Sequence, residues 1–160
     1  MQNPLTLHIT KSESLKYIGT AVVFSPTGTS FVLCCDKRIL LFDLQTLTVK
    51  FEIPLKISLD IYGCAFSPDG SRLAVASDRR AVFVWDLSTL SPVLTLTCCD
   101  SARALVYAVD GTCIVGAMID FTVCVWDSVT GELKESFPLP ASGASAALSA
   151  SGTVLAVGCD

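Results

Sequence analysis

A five-residue turn motif that recurs about every 41 residues is the feature of this sequence that most constrains its fold. The motif reads FSPTG at 24–28, FSPDG at 66–70, YAVDG at 107–111 and LSASG at 148–152. Proline suits the second position of a tight turn, and glycine tolerates the left-handed conformation that closes it. A turn held at one period predicts a repeat architecture. The repeated glycines are Gly28, Gly70, Gly111 and Gly152.

Two further landmarks keep the same period. An aromatic residue followed by aspartate ends the third apolar run of the first three copies, and another acid ends the second run of all four. Chance would not hold three landmarks in phase, so we interpret these residues as structural rather than catalytic. The aromatic–acid pairs are Phe42 and Asp43, Trp85 and Asp86, and Trp126 and Asp127; the second-run acids are Asp36, Asp78, Asp120 and Asp160.

The second copy shows what one unit contains. Four short apolar runs occur at 62–66, 71–77, 81–85 and 92–99, separated by turn-like segments. Their β-branched and aromatic residues favour strands, and the short connections favour antiparallel hairpins. The runs are apolar on both faces, which is typical of sheets that are covered on both sides. A solenoid or a sandwich has similar strand content, but four strands in 40 to 45 residues favour an all-β propeller.

The repeated residues resemble the WD-repeat β-propeller family. The motifs that carry the resemblance are the turns named above, LFD and VWD at the ends of the third runs, and TGEL at 130–133. It covers residues 18–160. The chain departs from the family pattern because it has no Gly-His pair, so the polar network around the tryptophans is at best partial. Ser77 is one candidate hydroxyl for that network, and Asp120 is expected to need another donor.

The repeat period also sets the expected domain organisation. We expect a lead-in at 1–17, which includes an alternating strand-like run at 5–9, followed by a partial propeller at 18–160. Propellers close with about 4–8 blades. About 3.5 four-stranded antiparallel blades would leave apolar faces uncovered, so we expect the N-terminal part of a longer propeller. The expected blades are 18–56, 57–99, 100–139 and the incomplete 140–160.

Charge and hydropathy argue against several classes of protein. The net charge is −4, and Arg79 and Arg80 form the one notable basic pair. A dedicated nucleic-acid binder usually carries clustered Lys and Arg. The longest uncharged stretch, 136–159, contains three glycines and two prolines, and is unsuited to a membrane helix. No signal peptide is recognisable at the N-terminus.

The eight cysteines favour an intracellular protein. None forms a C-x-x-C pair, and His8 is the one histidine of the sequence, so a zinc site is not indicated. We interpret the thiols as reduced and mostly buried. Cytoplasm and nucleus both remain open. The serines Ser25, Ser67 and Ser149 lie in turns rather than in a nucleophile elbow. We therefore predict no enzyme activity, no metal and no cofactor.

The family resemblance implies where a partner would bind. In such propellers the connections between blades and the turns between second and third strands share one rim. The leading hypothesis is a non-catalytic protein-interaction scaffold or a subunit of a multiprotein complex. Alternatives are an RNA- or chromatin-associated subunit that contacts nucleic acid through its arginines, and, less favoured, a propeller enzyme or the non-catalytic part of a multidomain enzyme. The candidate contact residues are Lys37, Asp60, Tyr62, Arg79, Arg80, Arg103 and Phe121.

Overall fold

Fourteen strands make up the regular structure of the described part of the chain. The computed structural model describes residues 19–35, 38–54 and 60–160. Residues 1–18, which include the lead-in with His8, residues 36 and 37, which include the predicted strand-ending acid Asp36, and residues 55–59 lie outside these ranges. The strands are β1 Gly19–Phe24, β2 Ser30–Cys35, β3 Arg38–Asp43, β4 Val49–Pro54, β5 Ile61–Phe66, β6 Arg72–Ser77, β7 Ala81–Asp86, β8 Ser91–Thr97, β9 Ala102–Tyr107, β10 Cys113–Met118, β11 Thr122–Asp127, β12 Leu133–Pro138, β13 Gly143–Leu148 and β14 Leu155–Cys159.

The strands form four antiparallel sheets, each in sequential order. Blade 1 contains β1–β4, blade 2 contains β5–β8 and blade 3 contains β9–β12, while β13 and β14 form a two-stranded blade 4. The innermost strands β1, β5, β9 and β13 contact one another in sequence. The predicted all-β fold with about 3.5 blades of a propeller is therefore confirmed. Across the described ranges, the structure contains no helix that is long and apolar enough to cross a membrane.

Burial between neighbouring blades explains why the strands are apolar on both faces. One core, around Leu73 and Ile39, lies between blades 1 and 2. A second, around Leu96, Ile114 and Trp126, lies between blades 2 and 3. Fully burying an aliphatic side chain of this size stabilises the fold by roughly 1.5–3 kcal/mol. Stacking of sheets, rather than burial of one face of each, therefore supplies most of the apolar stabilisation.

The repeated turn joins the first and second strands of every blade. The glycine of each copy has a φ between 68° and 75°, in the left-handed region that favours glycine. In the second copy, the backbone N–H of Gly70 donates to the Ser67 carbonyl at 2.8 Å. The Ser67 hydroxyl donates to the Asp69 carboxylate at 2.6 Å and accepts from the backbone N–H of Arg72 at 2.9 Å. These bonds fix the β5–β6 turn, at the end of the blade that faces away from the candidate rim.

The acids that end the third strands hold the next turn. The Asp127 carboxylate accepts backbone N–H groups of Val129 and Thr130, both at 2.8 Å, and pairs with Lys134 at 2.8 Å. The hydrogen bond from Lys134 is the main cause that holds the pKa of Asp127 well below its usual range. Asp43 repeats the arrangement with Lys50, also at 2.8 Å. Asp86 uses the hydroxyl and N–H of Ser88 instead.

The polar network around the tryptophans is incomplete. The indole nitrogens of Trp85 and Trp126 are buried and have no hydrogen-bond partner among the described residues. The Ser77 hydroxyl donates to the carbonyl of Ala81 at 3.2 Å, so it serves its own turn instead. Asp120 accepts the hydroxyl of Thr122 at 2.5 Å. Apolar packing therefore positions the two indole rings.

Candidate functional site

The antiparallel order of the blades brings the predicted contact segments to one end of the stack. The β6–β7 and β10–β11 turns lie there with the β8–β9 and β12–β13 connections, and the glycine turns lie at the opposite end. We call this end the rim. In each of blades 2, 3 and 4, one backbone hydrogen bond ties the residue after the second strand to the residue before the first strand. Its pairs are Asp78 to Asp60, Ile119 to Ser101 and Asp160 to Ser142, each with N–H donating to C=O at 3.0 Å.

A β-bulge lies near the rim in the first strand of each blade. In blade 2, Ile61 pairs with Ser77 and Gly63 with Ala76, which leaves Tyr62 without an opposite residue. Arg103 is skipped in the same way in blade 3. Bulges redirect a side chain at the edge of a ladder. Both side chains are exposed. The bulged residues of the four blades are Thr20, Tyr62, Arg103 and Ala144.

Two rim turns hold large side chains in an unfavourable backbone conformation. Arg80 has a φ of 55° and Phe121 a φ of 66°, in the left-handed region that glycine and asparagine normally occupy. Phe121 nevertheless exposes 55% of its surface. Leu47 and Leu90 share this conformation in turns of the opposite end, but their side chains are half-buried. Packing therefore offers an explanation for the leucines that it does not offer for Arg80 and Phe121.

The charges of the rim are largely balanced within the chain. Arg103 forms an ion pair with Asp160 at 2.6 Å, and the Arg80 guanidinium lies 4.0 Å from the Asp100 carboxylate. The Asp78 carboxylate accepts the backbone N–H of Asp60 at 3.3 Å. Acids thus accompany the arginines around the rim, so it is not a continuous basic surface.

The structure places Asp60, Tyr62, Arg79, Arg80, Arg103 and Phe121 at the rim, all with exposed side chains. Lys37 lies outside the described residues. Sequence reasoning missed Asp100, and it treated Asp160 only as a strand-ending acid, although both pair with rim arginines. It also missed the bulges, because a bulge at the same place in every blade leaves the 41-residue interval between positions 62 and 103 unchanged.

In the described ranges, no group of side chains is arranged as a catalytic or metal site would require. No group of three or more His, Cys, Asp or Glu side chains among those residues could hold a metal ion. The central surface between the first strands forms a mostly apolar groove of about 580 Å³, with Phe24, Phe66, Leu105 and Leu148 in its wall. Such a groove can bury apolar groups, but its walls offer no acid, base or nucleophile set in a catalytic arrangement.

The four-stranded sheets, their bulged first strands and their repeated turns define a partial β-propeller. Residues 55–86 and 90–127 match the model of the WD domain, G-beta repeat. These two segments carry WD repeats, and the resemblance that the turn and Trp-Asp motifs predicted is confirmed.

Several known proteins are similar to parts of this chain. The Retinoblastoma-binding protein 5 homolog of Drosophila melanogaster is 30% identical over 78 residues, which cover 48% of this chain and 16% of that protein. The Periodic tryptophan protein 2 homolog of Schizosaccharomyces pombe is 26% identical over 133 residues, covering 65% of this chain and 14% of that protein. The chain therefore spans less than a fifth of these curated relatives.

Two solved structures share the fold. The crystal structure of RRP9 WD40 repeats has a TM-score of 0.77 and 19% identity, and covers 84% of this chain and 43% of that chain. The hydrazine synthase of Kuenenia stuttgartiensis has a TM-score of 0.82 and 17% identity, and covers 97% of this chain and 46% of that chain. At these identities the likeness concerns the fold alone.

Proposed function

We propose that this chain contributes to a non-catalytic scaffold that holds a partner protein on the rim. The partner contacts come from Tyr62, Arg80, Arg103 and Phe121, and Asp60, Arg79 and Lys37 complete the candidate set. Tyrosine and arginine are over-represented among the residues that dominate binding energy at protein interfaces. An intracellular location, cytoplasmic or nuclear, fits a cysteine-containing chain in which no C-x-x-C pair occurs.

The observation that carries the proposal is the exposed Phe121 in a left-handed turn. A non-glycine residue in this conformation costs roughly 1–2 kcal/mol. Exposing a large apolar side chain at the same position offers no compensating burial within the chain. Unfavourable backbone conformations that persist on a surface are concentrated at binding sites. Contact with a partner would bury the ring and offset the cost.

Direct nucleic-acid binding is the second function considered for the rim. Its support is the trio Arg79, Arg80 and Arg103. The ion pair to Asp160 and the proximity of Asp100 to Arg80 neutralise two of the three charges. Nucleic-acid affinity depends mainly on neutralising phosphates with free cations. The balance of charge therefore favours a protein partner.

A site-specific crosslinking experiment tests the proposal. A photo-crosslinking amino acid is placed at position 121 of the full natural chain and, as a matched control, at position 154. Val154 is also exposed, but it follows a glycine turn at the end opposite the rim. We expect a defined protein to crosslink from position 121 and not from position 154, and its yield to fall in a Tyr62→Ala, Arg103→Ala background.

The outcomes separate the candidate functions. Recovery of RNA or DNA in place of a protein from position 121 would support the nucleic-acid alternative. Equal yields from positions 121 and 154 would remove the rim as the specific contact surface. An unchanged yield in the double variant would show that the bulged residues do not contribute.

A further inference from the structure

A second concave site lies at the end opposite the rim, between blades 2 and 3. It is a cavity of about 350 Å³, within the range of roughly 300–1,000 Å³ that is usual for ligand sites. The β5–β6 turn, the β9–β10 turn and the β11–β12 connection surround it. Arg72, Tyr107 and Ser128 lie in its wall with Asp69 and Asp110, and Pro68 and Val129 supply apolar surface. We call it the interblade cleft.

Tyr107 gives the cleft an unused polar group. The residue is 8% exposed, and its hydroxyl is buried without any hydrogen-bond partner in the described structure. A buried hydroxyl without a partner costs roughly 1–3 kcal/mol. Burial is also the main cause that raises the pKa of Tyr107 to about 12, so the group is a neutral donor at physiological pH. The free chain therefore holds a hydrogen-bond donor that a ligand could use.

Arg72 is the cation of the cleft. Its Nη1 donates to the backbone carbonyl of Ser128 at 3.2 Å, a bond that joins blade 2 to blade 3. Guanidinium has five N–H donors, so further donors remain for an acceptor in the cleft. A carbonyl oxygen of a bound segment could accept from Arg72 and from the Tyr107 hydroxyl together.

The acids of the cleft select against anionic ligands. The described wall of the cleft carries two carboxylates, of Asp69 and Asp110, and one guanidinium, of Arg72. Nearby Lys134 is paired with Asp127 at 2.8 Å. Asp69 is occupied by Ser67 and Ser71 in its own turn. Both Thr112 bonds to Asp110 end on Oδ1, which leaves Oδ2 available. A phosphate would meet repulsion here, whereas a basic side chain would be attracted.

We propose that the interblade cleft binds a short peptide segment of a partner protein that carries a basic side chain. A backbone carbonyl of the segment accepts from Tyr107 and Arg72, its Arg or Lys side chain pairs with Asp110, and its apolar atoms pack on Pro68 and Val129. The inference deepens the proposed scaffold function by adding a second contact surface. It does not depend on the rim residues.

Peptide titration by NMR tests the assignment directly. The probe is a capped pentapeptide with arginine at the centre of four alanines, added to the isotope-labelled full chain. The matched probe has glutamate in place of arginine. We expect saturable shifts of the Asp110, Gly111 and Val129 amide signals with the arginine peptide, and none with the glutamate peptide. Tyr107→Phe should lower the affinity for the arginine peptide by at least about 5-fold.

Two controls make the result decisive. Tyr107→Phe removes a hydroxyl that has no partner among the described residues, so the unfolding midpoint of the variant should not fall. Arg80→Ala at the rim should leave peptide affinity unchanged. Equal affinity of the Phe variant, or equal shifts with the glutamate peptide, would overturn the assignment. If crosslinking from position 121 fails while the arginine peptide binds, the rim proposal fails and the cleft remains.

Discussion

Tyr62 and Arg103 occupy the same place in neighbouring blades, 41 residues apart, and each is the residue that a β-bulge leaves unpaired. The two strands also approach closely there, because a β-carbon added to Gly63 would lie only 2.7 Å from the Arg103 carbonyl oxygen. The bulges therefore present an aromatic and a cationic side chain from adjacent strands near one end of the propeller. The bulge recurs in both blades, so the fold requires it. The side chain at the bulge differs between the blades, so its identity is free to serve binding.

The bulged pair should affect binding far more than stability. We expect Tyr62→Ala to weaken partner binding by about 1–2 kcal/mol, the range of a strong interface contact. Its free energy of unfolding should change by less than about 0.5 kcal/mol, because the side chain is exposed. Arg103→Ala should weaken partner binding in the same way, and its stability should also fall by at most about 1 kcal/mol because the ion pair with Asp160 is lost. Denaturant titration and affinity measurement on each variant check this; a stability loss that accounts for the binding loss would contradict it.

Phe121→Gly should stabilise the chain while weakening its partner binding. Glycine adopts the φ of 66° without the steric cost, so the free energy of unfolding should rise by roughly 1 kcal/mol. Loss of the exposed ring should weaken partner binding. The measurement is a pair of chemical unfolding curves with a binding titration of each form.

Phe121→Ala is the matched control for that substitution. It removes the same ring but keeps the unfavourable conformation, so it should weaken binding without the gain in stability. A stabilised glycine variant that retains full binding would show that the ring plays no part in recognition.

The architecture was predictable because its cause is local. A tight turn needs glycine at one position, and sheets covered on both faces need apolar residues throughout, so both leave a periodic trace in the sequence. Tyr107 was visible as the in-phase equivalent of Phe66, at the head of the turn motif. Its unpartnered hydroxyl was not predictable, because that depends on Arg72 and Asp69 of the neighbouring blade.

The candidate rim was harder to predict for a related reason. The bulges add one residue to every first strand, so they leave the period unchanged and give no break in pattern. Arg80 and Phe121 adopt a conformation that their residue types disfavour, so local preference predicts the opposite. The prediction that the thiols are mostly buried was half right: Cys34, Cys35, Cys98 and Cys124 are buried, whereas Cys99 and Cys159 are exposed.

Asp69 should make the chain sensitive to acid. The Ser67 hydroxyl and the Ser71 backbone N–H hold the pKa of Asp69 at about 2, below its usual 3.8. A folded-state pKa that is depressed gives stability that is present above about pH 4 and lost as the pH falls from about 4 to 2. Denaturant midpoints measured across this window should fall more steeply for the natural chain than for Asp69→Asn.

Ser67→Ala provides the diagnostic comparison for the acid effect. It removes the principal donor, so the pKa of Asp69 should rise towards its usual value and the acid-dependent loss should shrink. Asp43, Asp86, Asp110 and Asp127 also have lowered pKa values, so the natural dependence will not vanish entirely. Parallel curves for the natural chain and both variants would refute the assignment to this turn.

Gly63→Ala should loosen the contact between blades 2 and 3. A β-carbon at this position would lie 2.7 Å from the Arg103 carbonyl oxygen and 3.3 Å from the Ala104 α-carbon, so backbone must move to admit it. Overpacking of this kind costs about 1–3 kcal/mol. Chemical unfolding should report that loss, and hydrogen exchange should report faster opening of β9 amides.

Gly28→Ala distinguishes interblade overpacking from a general intolerance of glycine replacement. A β-carbon at Gly28 would meet no atom within 4 Å, but the φ of 68° makes alanine strained there. This variant should therefore lose roughly 1–2 kcal/mol without selective exposure of β9. If both variants accelerate exchange of β9 equally, the close approach of Gly63 to Arg103 does not control the interface. Selective opening in Gly63→Ala would show that a close backbone contact sets the spacing at which Tyr62 and Arg103 are presented.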